Sequence, residues 1–366
     1  MSHDPKLILS NFQLEGRLIE VKANGSGHIN ETYVSRFQTG KQEQRYIHQW
    51  INHHVFKEPP KVMENIERVT CYLQEKIAEA GGDPTRETLT IVPAVDGCSY
   101  YQTPQGDYWR TYTCIEGART YDQVEELRHV YNASRAFGNF QKLLSDLPGG
   151  RLHETIPDFH HTRKRFETFE RILEADRCQR AAGVKAEIDF ILERQEQTGK
   201  VVDLLAQGML PERVTHNDTK LNNVMIDAQS GEGICVIDLD TVMPGSVLYD
   251  FGDSVRIGAS SAAEDERDLS KVCFNIEMFE MLARGYLDSA REFLTPLELE
   301  LLPFSARLIT LEQAIRFLGD YLNGDVYYKT HRPGHNLDRA RTQIKMVAEM
   351  EANSDQMEAI THRYGS

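Results

Sequence analysis

The N-terminal third of the chain alternates apolar and polar positions in short runs, a pattern typical of β-strands. These runs are rich in β-branched and aromatic residues, and the predicted strands are 17–23, 31–37, 44–51, 89–95 and 108–114. Between the third and fourth runs the spacing changes. Residues 61–80 place Val62, Ile66, Val69 and Leu73 three or four positions apart, which predicts an amphipathic helix. A small sheet with one helix is therefore expected here.

Beyond a turn signal at residues 115–117, helical spacing dominates the chain. The predicted helices are 122–147, 160–182, 186–208, 265–290, 296–322 and 338–360. This order of elements predicts an α+β protein with two lobes. The boundaries we expect are a small β-rich N-terminal, nucleotide-binding lobe over residues 1–114 and a larger, mostly helical, catalytic and substrate-binding lobe over residues 115–366.

The segment VTHNDTKLNNVMIDAQSGEGICVID at 214–238 has the residues and spacing of a phosphoryl-transfer site. Asp218 precedes Asn223 by five residues, the spacing at which a kinase Asp receives the acceptor proton and the Asn binds magnesium. Asp238 ends the apolar run 234–237, which predicts a buried strand. A carboxylate at a strand end can enter a cleft and bind a hard cation. Asp218 is therefore the candidate catalytic residue, and Asn223 and Asp238 are the candidate metal ligands.

Two further acidic positions compete for the metal role. Asp250 begins a literal Asp-Phe-Gly string, the magnesium motif of protein kinases, but no β-branched run precedes it. We expect Asp250 to be a helix N-cap instead, with Asp253 in the first turn. Asp240 lies two residues after Asp238, on the same face of the expected strand, and is the nearer rival.

A glycine-containing turn, Gly25, Ser26 and Gly27, separates the first two strands. By itself it indicates only a hairpin, but its place ahead of the helix and the Asp/Asn/Asp set follows the order of parts in kinases. Backbone N–H groups of such a turn can approach phosphates. No Walker A sequence occurs. The third strand also lacks the lysine that anchors phosphates in protein kinases, and offers His48 and Gln49 instead.

Charge and hydropathy exclude several classes of function. The net charge of −15 and the pI near 5.4 argue against a nucleic-acid or anionic-membrane surface. No apolar stretch approaches the ~20 residues that a membrane span requires, and no signal peptide is recognisable. We expect a cytoplasmic enzyme that acts on a small molecule, with its oligomeric state open.

Five segments carry a family resemblance: GSGHINETY at 25–33, VTHNDTKLNN at 214–223, IDLDTVMPGS at 237–246, YDFGDSVR at 249–256 and RFLGDYLNGDVYY at 316–328. With them the chain resembles the aminoglycoside phosphotransferase and choline kinase group of small-molecule kinases. Within that group it is most similar to the members that phosphorylate N-acetylglucosamine or N-acetylgalactosamine at the anomeric hydroxyl. The resemblance implies a two-lobed protein-kinase-like fold and the use of ATP and Mg²⁺.

The resemblance also implies that His28, Asp218, Arg316 and Tyr327 contact the sugar. Arg316 has an alternative interpretation as a surface partner of Asp320, one helical turn away. The acceptor has alternatives as well, namely another sugar, an amino alcohol or an aminoglycoside. The missing third-strand lysine keeps open a catalytically silent nucleotide-binding protein. The histidine pairs at 53–54 and 160–161 are expected to be solvated rather than metal-bound.

Overall fold

The structure is a computed structural model that describes residues 3–24, 29–121 and 126–366. An antiparallel sheet with strand order β1-β2-β3-β5-β4 forms the N-terminal lobe. Its elements are β1 Arg17–Ala23, β2 Glu31–Thr39, β3 Gln42–Ile51, α1 Pro59–Glu79, α2 Pro84–Glu87, β4 Tyr101–Gln102 and β5 Tyr108–Thr113. The amphipathic stripe of α1 is buried, as the spacing predicts.

The two faces of this sheet meet different partners because side chains alternate along each strand. On the outer face, Tyr46 and Trp50 of β3 pack with Phe12 and other residues of the N-terminal segment. On the inner face, Ile47 and Ile51 pack with α1 and with strands of the C-terminal lobe. The inner face therefore belongs to the core that joins the two lobes.

The C-terminal lobe is mostly helical and carries two small sheets, β6-β8-β9 and β7-β10. Its elements are β6 Ala118–Arg119, α3 Leu127–Leu143, α4 Thr162–Ala175, α5 Lys185–Leu192, α6 Lys200–Ala206, β7 Arg213–Thr215, β8 Val224–Asp227, β9 Gly233–Val236, β10 Met243–Gly245, α7 Val247–Gly258, α8 Ile276–Ala290, α9 Pro296–Leu322, α10 His335–Ala352 and α11 Ser354–Gly365. The long helix α9 is its centre and contacts α4, α7, α10 and α11. None of the helices in the described part of the chain is both long enough and apolar enough to cross a membrane.

The predicted fold class is confirmed: a β-sheet lobe precedes a helical lobe. The best-predicted helix is α9, whose start is fixed by a capping box between Thr295 and Glu298. The predicted strand at 89–95 is wrong. Pro93 has no N–H for a ladder, and the segment makes only isolated bridges at Ile91 and Ala94.

Three predicted helices are also corrected. The region 186–208 is divided into α5 and α6 by a 3-10 turn at Gln195–Gly199, and 338–360 is divided into α10 and α11 at Asn353. The helix predicted from residue 265 begins only at Ile276, because Asn275 caps it and accepts hydrogen bonds from the N–H groups of Glu277 and Met278. Hydrophobic spacing alone does not detect such short polar interruptions.

Candidate active site

The candidate catalytic loop, residues 216–223, joins β7 to β8 and is anchored by the buried His216. The Nε2 atom of His216 donates to the carbonyl oxygen of Ile237 at 2.9 Å, which leaves Nδ1 to accept from the Asp218 N–H at 3.3 Å. Asn217 adopts a left-handed conformation with φ of 65°. This turn changes the direction of the chain directly before Asp218.

Asp218 and Asn223, predicted from their spacing, are in direct contact. The Asn223 amide nitrogen donates to the Asp218 carbonyl at 2.8 Å and lies 3.3 Å from Oδ2 of its carboxylate. Because the nitrogen of this amide is donating, its oxygen is the atom that can serve a cation.

Lys220 is not among the sequence-predicted site residues, yet its Nζ is 2.7 Å from Oδ1 of Asp218. The Asp218 charge outweighs the effect of burial and raises the pKa of Lys220. A lysine two residues after the candidate catalytic Asp was the sequence signal from which Lys220 could have been predicted. The loop therefore holds a carboxylate, an ammonium group and a carboxamide together.

Asp238 belongs to a second loop, residues 237–241, which we call the metal loop. It follows the end of β9 by two residues and has a left-handed φ of 60°. The residue is exposed to solvent, but desolvation of its carboxylate and the charges of Asp240 and Asp218 raise the pKa of Asp238. Crowding of carboxylates around an accessible oxygen favours a bound cation.

The donor set available to a metal is small. Within residues 3–24, 29–121 and 126–366, no group of three or more His, Cys, Asp or Glu side chains forms a ready-made metal cage. Mg²⁺ fits such a site, because it is usually bound through one or two carboxylates with water and substrate phosphates completing its shell. Asn223 and Asp238 offer oxygen donors of that kind.

Asp240 does not share a strand face with Asp238, because residues Leu239–Thr241 form a 3-10 turn. Arg110 of β5 contacts both oxygens of its buried carboxylate, and Asn30 donates to Oδ2 at 2.8 Å. Arg110 outweighs the effect of burial and lowers the pKa of Asp240. With both oxygens engaged, Asp240 is a poorer metal ligand than the exposed Asp238.

Asp250, of the Asp-Phe-Gly string, is not the predicted N-cap. Ser246 caps α7, and Asp250 lies buried in the first turn. Its carboxylate accepts from the N–H groups of His216 at 2.8 Å and Asn217 at 2.6 Å, and from Nε2 of Gln141 at 2.6 Å. The expectation that Asp250 is not a metal ligand agrees with this arrangement, because its oxygens hold the catalytic loop.

The expectation that His160 is solvated is wrong. His160 is buried, with Nδ1 2.8 Å from a Glu312 carboxylate oxygen and Nε2 3.2 Å from the Asn217 carbonyl oxygen. Burial alone would lower the pKa of His160, but the charge of Glu312 raises it. This pair supports the catalytic loop from the side of α9.

The alternative interpretation, in which Arg316 is a surface partner of Asp320, is wrong. The guanidinium carbon of Arg316 lies 5.6 Å from the centroids of both the Phe159 and Tyr328 rings. Asp320 instead accepts from the N–H groups of Val326, Tyr327 and Tyr328, at 2.8–3.0 Å. Asp320 thereby holds the loop that carries Tyr327, a residue that is 69% exposed and therefore accessible to a ligand.

The remaining predicted residues are the phosphate-binding turn, Gly25, Ser26 and Gly27, and the sugar contact His28, and all four lie outside the described residues. The third strand, where protein kinases carry a lysine, is described. On β3, the His48 side chain lies on the outer face, where its ring nitrogens are hydrogen-bonded to the hydroxyl groups of Ser35 and Thr111. Gln49 is on the inner face and accepts from Nε of Arg110 at 2.9 Å.

The β-sheet lobe, the helical lobe, and the catalytic and metal loops together define a two-lobed, protein-kinase-like protein. The model of the phosphotransferase enzyme family, APH, matches residues 20–296. Since this match spans more than half of the chain, the protein belongs to that family.

Solved structures with the same fold include three kinases of small molecules. An amicoumacin kinase in complex with AMP-PNP, Ca²⁺ and its substrate has 14% identity and a TM-score of 0.59, and the match covers 94% of this chain and 93% of that one. A microcompartment-associated aminopropanol kinase has 15% identity and a TM-score of 0.56, with 96% and 97% covered. The choline kinase of Cryptosporidium parvum has 16% identity and a TM-score of 0.52, with 96% and 95% covered. At these identities the similarity establishes the fold.

Proposed function

We propose that the protein is an N-acetylhexosamine 1-kinase, which transfers the γ-phosphoryl group of ATP to the anomeric hydroxyl of N-acetylglucosamine or N-acetylgalactosamine. Residues 1–114 would form the nucleotide-binding lobe and residues 115–366 the catalytic and acceptor-binding lobe. Family membership and the ATP analogue bound to the amicoumacin kinase support the use of ATP. The observation that carries the proposal is the contact of Asp218 with Lys220 and Asn223, beside the exposed Asp238.

Asp218 has the position of a general base, because its carboxylate is partly exposed and is oriented by Lys220 and Asn223. One carboxylate oxygen takes the proton of the acceptor hydroxyl while the new bond forms between the sugar O1 and the γ-phosphorus. The bond from that phosphorus to the β,γ-bridging oxygen breaks, and ADP leaves with the electron pair. Lys220 offsets negative charge next to Asp218, and the hydrogen bond from Asn223 orients the carboxylate.

Asn223 and Asp238 would hold magnesium, which would offset the negative charge of the nucleotide phosphates during transfer. His216 joins the two loops through Ile237, and the Thr241 hydroxyl donates to the His216 carbonyl at 2.7 Å. The metal ligands are consequently fixed relative to Asp218. This preorganisation reduces the cost of aligning donor and acceptor.

Arg316 and Tyr327 are the proposed acceptor contacts, with His28 as a third by resemblance. An arginine that is held between two rings has its donors fixed for sugar hydroxyls, and the exposed Tyr327 offers an apolar surface to a sugar ring. Glu312 lies close enough to Arg316 to offset part of its charge. A sugar acceptor is therefore favoured by the hydrogen-bonding geometry of Arg316 and the ring surface of Tyr327 rather than by charge. Gly25, Ser26 and Gly27 are proposed to contact the phosphates.

The test is ADP release in the presence of ATP and Mg²⁺ with N-acetylhexosamines, simple hexoses, choline and aminoglycosides. The proposal predicts the highest kcat/KM with N-acetylhexosamines. Asp218→Asn and Asp238→Asn should each lower turnover by at least ~10²-fold, the scale for losing a catalytic or charge-stabilising group. Higher kcat/KM with choline or an aminoglycoside would transfer the activity to the other acceptor class, and near-normal turnover of either variant would remove its assigned role.

A further inference from the structure

A buried ion pair joins the two lobes beside the metal loop, and the proposed chemistry does not use it. Arg110 extends from β5 and contacts both carboxylate oxygens of Asp240, with Nη2 2.7 Å from Oδ2. The side chains are 1% and 3% exposed. Taking both charges out of water is costly, and only close geometry with further hydrogen bonds offsets that cost. Those additional bonds are present, which makes the pair a well-defined contact between the lobes.

Asn30 ties the first hairpin to the same carboxylate. Its amide nitrogen donates to Oδ2 of Asp240 at 2.8 Å, and its oxygen accepts from the Asn52 N–H, just after β3, at 3.0 Å. Asn30 follows the proposed phosphate-binding turn by three residues in the sequence. Asp240, in turn, follows the proposed metal ligand Asp238 by two. The buried Asp240 carboxylate therefore connects Asn30, which follows the proposed phosphate-binding turn in the sequence, with the loop that carries the proposed metal ligand Asp238.

A polar row across the inner face of the sheet leads to this pair. Thr32 of β2, Gln49 of β3 and Arg110 of β5 are register partners on neighbouring strands. Gln49 donates to the Thr32 hydroxyl at 3.1 Å and accepts from Nε of Arg110 at 2.9 Å. The strand β3 itself, QEQRYIHQWI, contains no lysine. The cation of β3 on this face, Arg45, lies four residues before Gln49 and pairs with Glu116, so Arg110 of β5 is the cation that reaches the metal loop.

We propose that Arg110 is a positioning residue: through Asp240 and Asn30 it fixes the metal loop against the N-terminal lobe. Asn30, directly before β2, and the metal loop that carries Asp238 are then held at a set separation, which favours binding of a nucleoside triphosphate with its divalent cation. Arg110 acts without touching the phosphates, because its side chain is buried and directed at Asp240 and Gln49. The proposal depends on the proposed function only for ATP binding, and not on the identity of the acceptor.

The experiment measures binding of AMP-PNP to the full chain by calorimetry, with magnesium and with EDTA, in the absence of any acceptor. Arg110→Met should weaken binding in magnesium by about 10-fold or more, within the usual range of coupling between sites. Binding in EDTA should change by less than about 2-fold. Arg110→Lys, which keeps the charge but cannot hold both oxygens of Asp240 and Gln49 together, should give a smaller loss than Arg110→Met.

A double-mutant cycle with Asp238→Asn separates positioning from general destabilisation. If Arg110 acts through the metal loop, the combined variant should bind Mg·AMP-PNP no more weakly than Asp238→Asn alone. Additive losses within about 2-fold would overturn the proposal, as would equal losses in magnesium and in EDTA. Unchanged binding by Arg110→Met would overturn it as well.

Arg86→Met is the matched control. Arg86 pairs with Asp227 at 2.8 Å at the far end of β8, so this variant also removes an arginine pair between distant segments. It should leave AMP-PNP binding unchanged. Thermal unfolding reports whether each variant folds. If Arg110→Met does not fold, Asn30→Ala leaves the Arg110–Asp240 pair in place, removes the hydrogen bonds of Asn30 to Asp240 and Asn52, and should show the same magnesium-selective loss. If wild type binds AMP-PNP and yet no acceptor is phosphorylated, the acceptor assignment fails and the Arg110 result still stands.

Discussion

Asp250→Asn distinguishes a loop anchor from a metal ligand at the Asp-Phe-Gly string. The Asp250 carboxylate accepts two backbone N–H groups of the catalytic loop and the Gln141 amide, all at 2.6–2.8 Å. Asparagine keeps one acceptor oxygen but turns an NH₂ group towards a donor, so at least one charge-assisted hydrogen bond is lost. Such a bond is worth about 1.5–3 kcal/mol, and a donor left unpaired in a buried site adds to the cost. We expect the free energy of unfolding to fall by about 3 kcal/mol.

The same substitution should lower kcat by about 10²-fold, because His216 and Asn217 directly precede Asp218 and a shift of the loop misaligns it. The assays are urea unfolding and steady-state kinetics over a range of magnesium concentrations. The magnesium concentration for half-maximal rate should stay that of the wild type, whereas Asp238→Asn should raise it. Asp355→Asn, an exposed carboxylate in the first turn of α11, is the control and should change stability by less than about 1 kcal/mol. Unchanged stability together with a raised magnesium requirement in Asp250→Asn would refute the anchor role.

Three further predictions concern single side chains. Burial lowers the pKa of His48 to about 4, whereas the unfolded value is near 6.5. The free energy of unfolding should therefore be highest above pH 6.5 and should fall by about 3 kcal/mol as the pH drops to 4, because the unfolded state binds the proton first. His48→Gln should reduce this pH dependence in urea unfolding, and an unaltered dependence would contradict the assignment. Arg316→Met should raise the acceptor KM by about 10-fold or more with the ATP KM unchanged, because a charge-assisted hydrogen bond to the acceptor is lost. Arg267→Met, which removes an exposed arginine, is the control and should leave the KM values of both the acceptor and ATP unchanged. Lys220→Met should lower kcat by about 10²-fold with little effect on acceptor KM, and Lys220→Arg should recover part of the rate.

The chain segment from 214 to 238 made the core of the candidate site predictable, because its chemistry is concentrated in consecutive residues. Asp218 and Asn223 are in contact, as their spacing indicates. The groups that support this segment come from elsewhere: His160, before α4, contacts Asn217 directly, while Gln141 of α3 acts through Asp250 and Arg110 of β5 acts through Asp240. Their spatial relation follows from the tertiary fold, which hydrophobic spacing does not specify.

Some of these supporting residues could have been suspected from the sequence, because they are single charged residues within otherwise apolar segments. Arg110 stands within the strand YWRTYT, and Glu312 lies on the buried face of α9. A buried charge requires a partner, so each of these positions implies an opposite charge or a polar group nearby. The identity of that partner, Asp240 in one case and His160 in the other, could be read only from the structure.

Phosphorus NMR of the reaction product tests the central claim most directly. The protein is incubated with ATP, Mg²⁺ and N-acetylglucosamine or N-acetylgalactosamine, and the new phosphorus resonance is assigned by its coupling to the sugar protons. We predict a glycosyl 1-phosphate, with coupling to the anomeric proton and ADP in equal amount, that is lost in Asp218→Asn. A resonance coupled to protons at C6, or formation of inorganic phosphate alone, would contradict the proposed reaction.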